Sequence, residues 1–252
     1  MDFPSQTRKL SIQGSNYNYD LSYVYVSQRG FYPNALGKAN QDSYVVCENF
    51  SNPNCHLFGV FDGHGEYGDY CSHFAADQVP LHLEKDFNVN TFDGAEMERK
   101  YTDAFVEANK CMHKAMFDDS LSGTTGVTAF VKGDTLHVAN VGDSRAIIAR
   151  RGDDGVLKSY PLSVDQTPFR KDERERLKKK VSCCMLCLCM VLVVLFLVKH
   201  LYTVDCVTSL EHLLPAVKKF QYILSLCCAV YICFLTLPGS PTHLSVAVLV
   251  GG

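Results

Sequence analysis

The sequence lacks an excess of basic residues. Its 24 Lys and Arg stand against 27 Asp and Glu, which leaves a formal net charge of −3. This balance gives no electrostatic reason to expect nucleic acid as a partner. The N-terminal residues lack an apolar h-region, so we expect no secretory signal peptide. Nine Pro and 17 Gly argue against a fibrous or disordered chain.

Charge is scarce at one end of the chain. Residues 181–252 hold only five of the charged residues but eight of the 12 cysteines. These cysteines lie mostly in apolar runs with no His partner, so we interpret them as small hydrophobic residues rather than zinc ligands. The cysteines of residues 1–180 show no Cys-x-x-Cys spacing, which predicts free thiols in a reducing compartment: Cys47, Cys55, Cys71 and Cys111.

Two apolar runs characterise this tail. Residues 181–198 form an uncharged 18-residue run after the basic cluster 178–180, and residues 220–237 form a weaker one. A run of about 18 apolar residues predicts a transmembrane helix, here with the basic cluster on the cytoplasmic side. The alternatives are a buried helix or strand pair, and translated intron sequence, since codons for residues 180–182 can spell a splice donor. We expect a cytoplasmic or nuclear protein, with membrane association through residues 181–237.

The first 180 residues combine strand and helix patterns. Residues 1–21 predict a loose polar lead-in, followed by a domain over 22–180. Apolar residues at three- and four-residue spacing predict helices over 68–87 and 96–117. Strands followed by a helix pair and more strands predict an α+β fold in which helices cover a sheet face. Short β-branched and aromatic runs between turn residues predict the strands, over 23–27, 43–47, 56–61, 125–131, 134–141, 144–151 and 155–162.

Two acidic residues stand at the ends of predicted strands. Asp42 opens one strand, and Asp62 closes another just before Gly63-His64-Gly65. A carboxylate beside glycines can reach a cation together with a backbone carbonyl, and Mg²⁺ and Mn²⁺ prefer such oxygen ligands. A divalent ion held there would activate a water molecule for hydrolysis. An isolated Asp-Gly pair, however, is usually a turn.

Six motifs in order along residues 22–180 extend this interpretation. They resemble the metal-dependent protein phosphatase 2C (PPM-type) family, particularly its plant members and the N-terminal part of plant fusions with cyclic-nucleotide-binding and kinase domains. The resemblance implies a phosphatase 2C-like β-sandwich flanked by helices. It also implies Mg²⁺- or Mn²⁺-dependent hydrolysis of phosphoserine and phosphothreonine in protein substrates. The motifs are SQRGFYPN (27–34), KANQDSY (38–44), FGVFDGHGEYG (58–68), SGTTG (122–126), ANVGDSRA (139–146) and LSVDQTPFRKDERERLK (162–178).

The resemblance assigns roles to the residues around the Asp-Gly pair. Asp62 corresponds to the aspartate that bridges two metal ions, and Gly63 to the residue whose carbonyl binds one of them. His64 corresponds to the general acid for the leaving alkoxide, with a neutral core histidine as the alternative. Gln41 and Asp42 fall on the family's acidic pair. Because Gln41 replaces the usual Glu, a neutral ligand would hold the second metal less strongly.

The resemblance implies further roles nearby. Asp143 corresponds to a residue linked to the site through water or an accessory metal, and residues 122–124 to a structural segment beneath it. Lys38 lies one residue out of register with the family's phosphate-binding Arg, and Arg29 is a second candidate for that role. Lys would bind phosphate as a point charge, without the bidentate fork of Arg.

The resemblance ends near residue 180, about halfway through the family's domain. The family's two later metal aspartates have no counterpart in residues 181–252. We therefore expect only the N-terminal half of the sandwich, with unpaired strand edges, followed by an apolar tail. An inactive truncated remnant or splice product is the alternative function.

Overall fold

The computed structural model describes residues 7–85, 94–179, 231–236 and 243–251. The chain forms two compact units, one of Met1–Asp165 with Cys227–Gly252 and one of Gln166–Leu226. In the second unit, the described residues include a helix over 171–179.

Two β-sheets build the first unit. The six-stranded sheet has the order β1 (Arg8–Gln13), β2 (Asn18–Gln28), β11 (His243–Gly251), β10 (Tyr231–Thr236), β8 (Arg145–Arg151) and β9 (Leu157–Pro161). The other sheet has the order β3 (Asp42–Cys47), β4 (Cys55–His64), β6 (Gly126–Lys132) and β7 (Thr135–Val141). A short strand, β5 (Gly123–Thr124), pairs with the end of β4.

Alternation of side chains along β6 shows where the core lies. Successive residues of a strand point to opposite faces of the sheet. Val127 and Ala129 accordingly pack in one cluster with Leu21 of β2, which belongs to the other sheet. Phe130 packs on the opposite face against Tyr101. One core therefore fills a sandwich between the two sheets, and the other lies beneath a helix.

Two helices cover the outer face of the five-stranded sheet: α1 (Gly68–Glu84) and α2 (Gly94–Met112). The buried residues of α2 recur at three- and four-residue spacing, which is the stripe that one helix face presents to a core. They are Met97, Tyr101, Ala104, Ala108 and Met112. The predicted α+β class and both helices are confirmed, although each helix ends before its predicted boundary. The four cysteines predicted as free thiols are free.

The N-terminal residues differ from the prediction. The prediction of a loose lead-in was wrong for this segment, because Arg8–Gln13 forms β1 and pairs antiparallel with the start of β2. Ile12 is completely buried, and Leu10 packs against the same core. Only these two apolar residues alternate with polar ones. Their short pattern becomes a strand because β2 supplies hydrogen-bond partners.

Part of the tail lies in the middle of the six-stranded sheet. β11 runs parallel to β2, β10 runs parallel to β8, and the two pair antiparallel with each other. Residues 231–236, inside the apolar run predicted as transmembrane, therefore form a sheet strand. The run 181–198 lies outside the described residues. Among the described helices, none is both long and apolar enough to cross a bilayer. Membrane association and intron origin of the tail remain predictions.

Candidate functional site

Asp42 and Asp62 face each other across neighbouring strands. They are direct partners in the antiparallel pairing of β3 with β4. Side chains at directly opposed positions lie on the same face, with Cβ atoms about 5 Å apart. Asp42 is only 4% exposed, and its Oδ2 is buried without a hydrogen-bond partner. The fold thus brings together two acidic groups that are 20 residues apart in sequence.

Burial raises the pKa of both carboxyl groups. The negative charges of Asp42 and Asp143 raise the pKa of Asp62 further, and Lys38 acts in the opposite direction. For Asp42, the hydrogen bond with Asp62 and the charge of Lys38 partly offset the effect of burial. Two like charges removed from water favour the uptake of a proton or a cation. The pair therefore has the electrostatic character of a cation site.

Gly63 occupies a place that no other residue could fill without rearrangement. A Cβ at this position would lie 2.0 Å from the carbonyl oxygen of Gly68 and 2.4 Å from that of Gln41. The Gly63 N–H donates to this Gln41 oxygen at 3.0 Å. The side-chain Nε2 of Gln41 donates to the carbonyl oxygen of Gly65 at 2.6 Å. Gln41 therefore ties the entrance of β3 to the loop after β4.

His64 is the last residue of β4, and the charge of Asp143 acts on it. His64 is exposed, but its ring packs over Gly123, where a Cβ would lie 3.0 Å from the imidazole Cε1. Partial burial lowers the pKa of His64, and the negative charge of Asp143 opposes this shift. Asp143 thus influences both His64 and Asp62 electrostatically.

The two candidate phosphate ligands have different environments. The Arg29 guanidinium donates to two backbone carbonyls, those of Leu36 and Lys38, the latter at 2.9 Å. Its Nη1 makes both hydrogen bonds and so holds the loop between β2 and β3. The Lys38 ammonium lies 4.0 Å from the ring centre of Tyr32, and its charge lowers the pKa of both facing carboxyl groups. Lys38 is therefore a cation that acts on the acidic pair.

The donor set suits a hard divalent cation. In the described part of the chain, no three His, Cys, Asp or Glu side chains come together as a metal site. Mg²⁺, however, usually keeps several waters and takes only one or two protein carboxylates. Asp42 and Asp62 provide that number, and the unpartnered Oδ2 of Asp42 is an acceptor available to an ion. The residues present therefore fit Mg²⁺ or Mn²⁺ with water in the remaining positions.

Sequence reasoning assigned no role to Thr125 and Ser144, which contact each other next to Asp62. The Thr125 hydroxyl accepts the Asp62 N–H at 3.0 Å and is hydrogen-bonded to the hydroxyl of Ser144. Both residues lie within motifs that carry the resemblance, SGTTG and ANVGDSRA. Their presence in these motifs could have pointed to a role in the site. Hydroxyl side chains in turns, however, often bond only to the nearby backbone, so the motifs alone did not single out these two residues.

Similarity to known proteins agrees with this geometry. Residues 34–186, more than half of the chain, match the family model of Protein phosphatase 2C. The chain belongs to the protein phosphatase 2C family. This confirms the family resemblance, and several of the chain's curated relatives come from plants. The fusion with further domains stays a prediction.

Curated relatives show how much of a phosphatase 2C protein the chain covers. It is 46% identical over 169 residues to Probable protein phosphatase 2C 35 of Arabidopsis thaliana, covering 67% of this chain and 47% of that protein. It is 37% identical over 150 residues to Protein phosphatase 1K, mitochondrial, of Xenopus laevis, covering 56% of this chain and 36% of that protein. The chain spans about half the length of the first curated relatives it matches.

Solved structures include a serine-threonine phosphatase 2C from Toxoplasma gondii. Its sequence is 20% identical, the match covers 71% of this chain and 56% of that one, and the TM-score is 0.47.

Proposed function

We propose that this chain carries the cation and phosphate site of a protein serine/threonine phosphatase that depends on Mg²⁺ or Mn²⁺. The observation that carries the proposal is the facing pair Asp42 and Asp62, with one buried carboxylate oxygen that has no partner. Membership of the phosphatase 2C family supports the reaction class, and phosphorylated proteins are the proposed substrates.

The residues of the site would divide the work as follows. Asp42, Asp62 and the carbonyl of Gly63 would hold the cation. When bound, the ion supplies an activated water and offsets negative charge on the phosphoryl oxygens. Lys38 would attract the phosphate of the substrate as a point charge, since its ammonium already acts on both carboxyl groups.

His64 would give a proton to the leaving serine or threonine oxygen. Its ring is positioned over Gly123. Burial lowers the pKa of His64, and the negative charge of Asp143 offsets part of this shift in favour of the protonated imidazole. Proton donation to a leaving group in the transition state typically contributes about 10²–10⁴-fold to a rate. Gln41 would contribute no charge, because its amide is neutral, and its amide nitrogen donates to the Gly65 carbonyl.

Hydrolysis of a phosphothreonine peptide by the full chain tests the proposal. We expect phosphate release that requires Mn²⁺, disappears in Asp62→Asn and persists in Asp77→Asn. Asp77 is the matched control because it is exposed on α1. Phosphate release that is independent of Mn²⁺, or equal in Asp62→Asn, would refute the proposal. Tight Mn²⁺ binding by calorimetry without any hydrolysis would instead identify a non-catalytic relative.

A further inference from the structure

Asp62 lies opposite an interruption in the sheet. On the side away from β3, β4 pairs with β6 up to Val60, which faces Val127. Pairing resumes with β5 at Gly63, which faces Thr124. Thr125 belongs to neither β5 nor β6. Such irregularities occur preferentially beside active sites, where they redirect a side chain.

Thr125 hydrogen-bonds to the backbone of Asp62 with both its side chain and its main chain. Its hydroxyl accepts the Asp62 N–H at 3.0 Å, and its own N–H donates to the Asp62 carbonyl at 2.9 Å. The carbonyl of Thr125 accepts the hydroxyl of Thr124 at 2.9 Å. A side-chain oxygen therefore takes the place of a ladder carbonyl at the residue that carries the carboxylate.

The Thr125 hydroxyl also reaches the loop that contains Asp143. It is hydrogen-bonded to the hydroxyl of Ser144, which is completely buried. On the same loop, Gly142 has a φ of +99°, and a Cβ there would lie 2.8 Å from Cγ2 of Thr125. Thr125 is thus held from two directions by the segment on either side of Asp143.

We propose that Thr125 and Ser144 are positioning residues of the cation site. Their linked hydroxyls fix the backbone of Asp62 relative to the loop that carries Asp143. They therefore set the distance between the side chains of Asp62 and Asp143. This inference rests on the proposed function, because it assigns the hydroxyl pair to the same cation site. Partners that orient metal ligands typically change metal affinity about 10–100-fold when they are removed.

Two measurements on purified full-length chain test the hydroxyl pair. Calorimetry measures Mn²⁺ affinity, and amide hydrogen exchange in the metal-free protein measures protection of the Asp62 N–H. We expect Thr125→Val, which keeps the shape but removes the hydroxyl, to weaken Mn²⁺ binding about 10–100-fold and to speed exchange at Asp62. Ser144→Ala should act in the same direction with a smaller effect.

Rescue and control variants separate positioning from general structural support. Thr125→Ser restores the hydroxyl and should return Mn²⁺ affinity to within about threefold of the original. This difference is much smaller than the loss of affinity expected when a residue that orients a metal ligand is removed. Thr128→Val is the matched control, because Thr128 is a completely buried threonine of β6 that pairs with Gly59 rather than with Asp62. It should leave both Mn²⁺ affinity and exchange at Asp62 unchanged.

The outcomes distinguish this inference from the proposed function. Unchanged Mn²⁺ affinity and unchanged Asp62 exchange in a folded Thr125→Val protein would overturn the inference, as would a loss that Thr125→Ser does not rescue. If the unmodified chain binds no Mn²⁺, the proposed function and the hydroxyl pair's role in the cation site both fall. Hydrogen exchange at the Asp62 N–H would then report only on the hydrogen bond between Thr125 and the Asp62 backbone. If Thr125→Val does not fold, Ser144→Ala decides by the same two readouts.

Discussion

Removing one charge from the facing acidic pair should stabilise the metal-free protein while destroying the proposed cation site. Asp42 and Asp62 are opposed across β3 and β4, and burial raises the pKa of both. Like charges directly opposite in a sheet are destabilising. The pair therefore costs folding free energy when no cation is bound, and Asp62→Asn relieves that cost without changing the side-chain shape.

The size of the effect follows from the spacing. Two full charges about 4 Å apart repel by about 4 kcal/mol at an effective dielectric constant of about 20. Burial and the negative charge of Asp42 raise the pKa of Asp62 to about 7, so the pair retains part of a proton near neutral pH, which reduces this repulsion. We therefore expect Asp62→Asn to raise the free energy of unfolding by about 1–3 kcal/mol in the presence of a chelator.

The dependence on pH has a definite sign. A carboxyl group whose pKa is higher in the folded than in the unfolded state destabilises the folded state at high pH, because the unfolded chain ionises more readily. This penalty begins to shrink as the pH falls below the raised pKa, and it is gone only below the pKa of the unfolded chain. The advantage of Asp62→Asn should therefore be largest under mildly alkaline conditions and should shrink on acidification.

Urea unfolding followed by circular dichroism provides the assay. Asp77→Asn, an exposed change on α1, should stay within about 0.5 kcal/mol of the unmodified chain. Mn²⁺ at about 100 times its Kd should stabilise the unmodified chain by about 2.7 kcal/mol and leave Asp62→Asn unaffected. A chelated Asp62→Asn protein that is no more stable than the unmodified chain would refute the reasoning.

Three further predictions concern backbone space, a buried histidine and the tail strands. Gly63→Ala should destabilise the fold by about 3 kcal/mol in urea unfolding, because the new Cβ would meet two backbone oxygens at 2.0 and 2.4 Å. His56 should contribute a fall in the free energy of unfolding as the pH drops below about 6.5, because burial lowers its pKa and only the unfolded chain takes up that proton readily. His56→Gln should reduce this slope. Val246→Pro should cost about 3 kcal/mol or more in thermal or urea unfolding, because β11 pairs with strands on both sides.

Each of these predictions has a matched control. Gly37→Ala should be nearly neutral, because a Cβ there has no neighbour within 4 Å, and equal losses at Gly37 and Gly63 would contradict the steric argument. An unchanged pH slope in His56→Gln would show that other groups cause it, and exposed His73→Gln should leave the slope intact. Ser159→Pro, in the edge strand β9, should cost less than Val246→Pro.

Local patterns were sufficient for most of the strands and both helices. The alternating runs that became β3, β4, β6 and β7 contain their own β-branched and aromatic residues, and α2 shows its buried stripe directly. β1 was missed because six residues with two apolar side chains carry too weak a pattern. β10 and β11 lie in sequence whose apolar character suits a strand as well as a membrane segment.

Within the candidate site, sequence determined the residue types and tertiary structure determined their geometry. The Asp-Gly-His-Gly segment and the six ordered motifs identified the phosphatase 2C family and named Asp42, Asp62 and His64. Only the pairing of β3 with β4 made the two acids direct neighbours.

Thr125 and Ser144 illustrate the same division over a longer distance. They are separated by 19 positions, and the two strands β6 and β7 lie between them. No local pattern specifies that their hydroxyls meet, because hydrogen bonds between distant turns depend on how complete strands pair and pack. The sequence by itself therefore determined what chemistry this chain can carry. The tertiary structure decided which groups share a site, since burial and strand register arise only when the whole sheet forms.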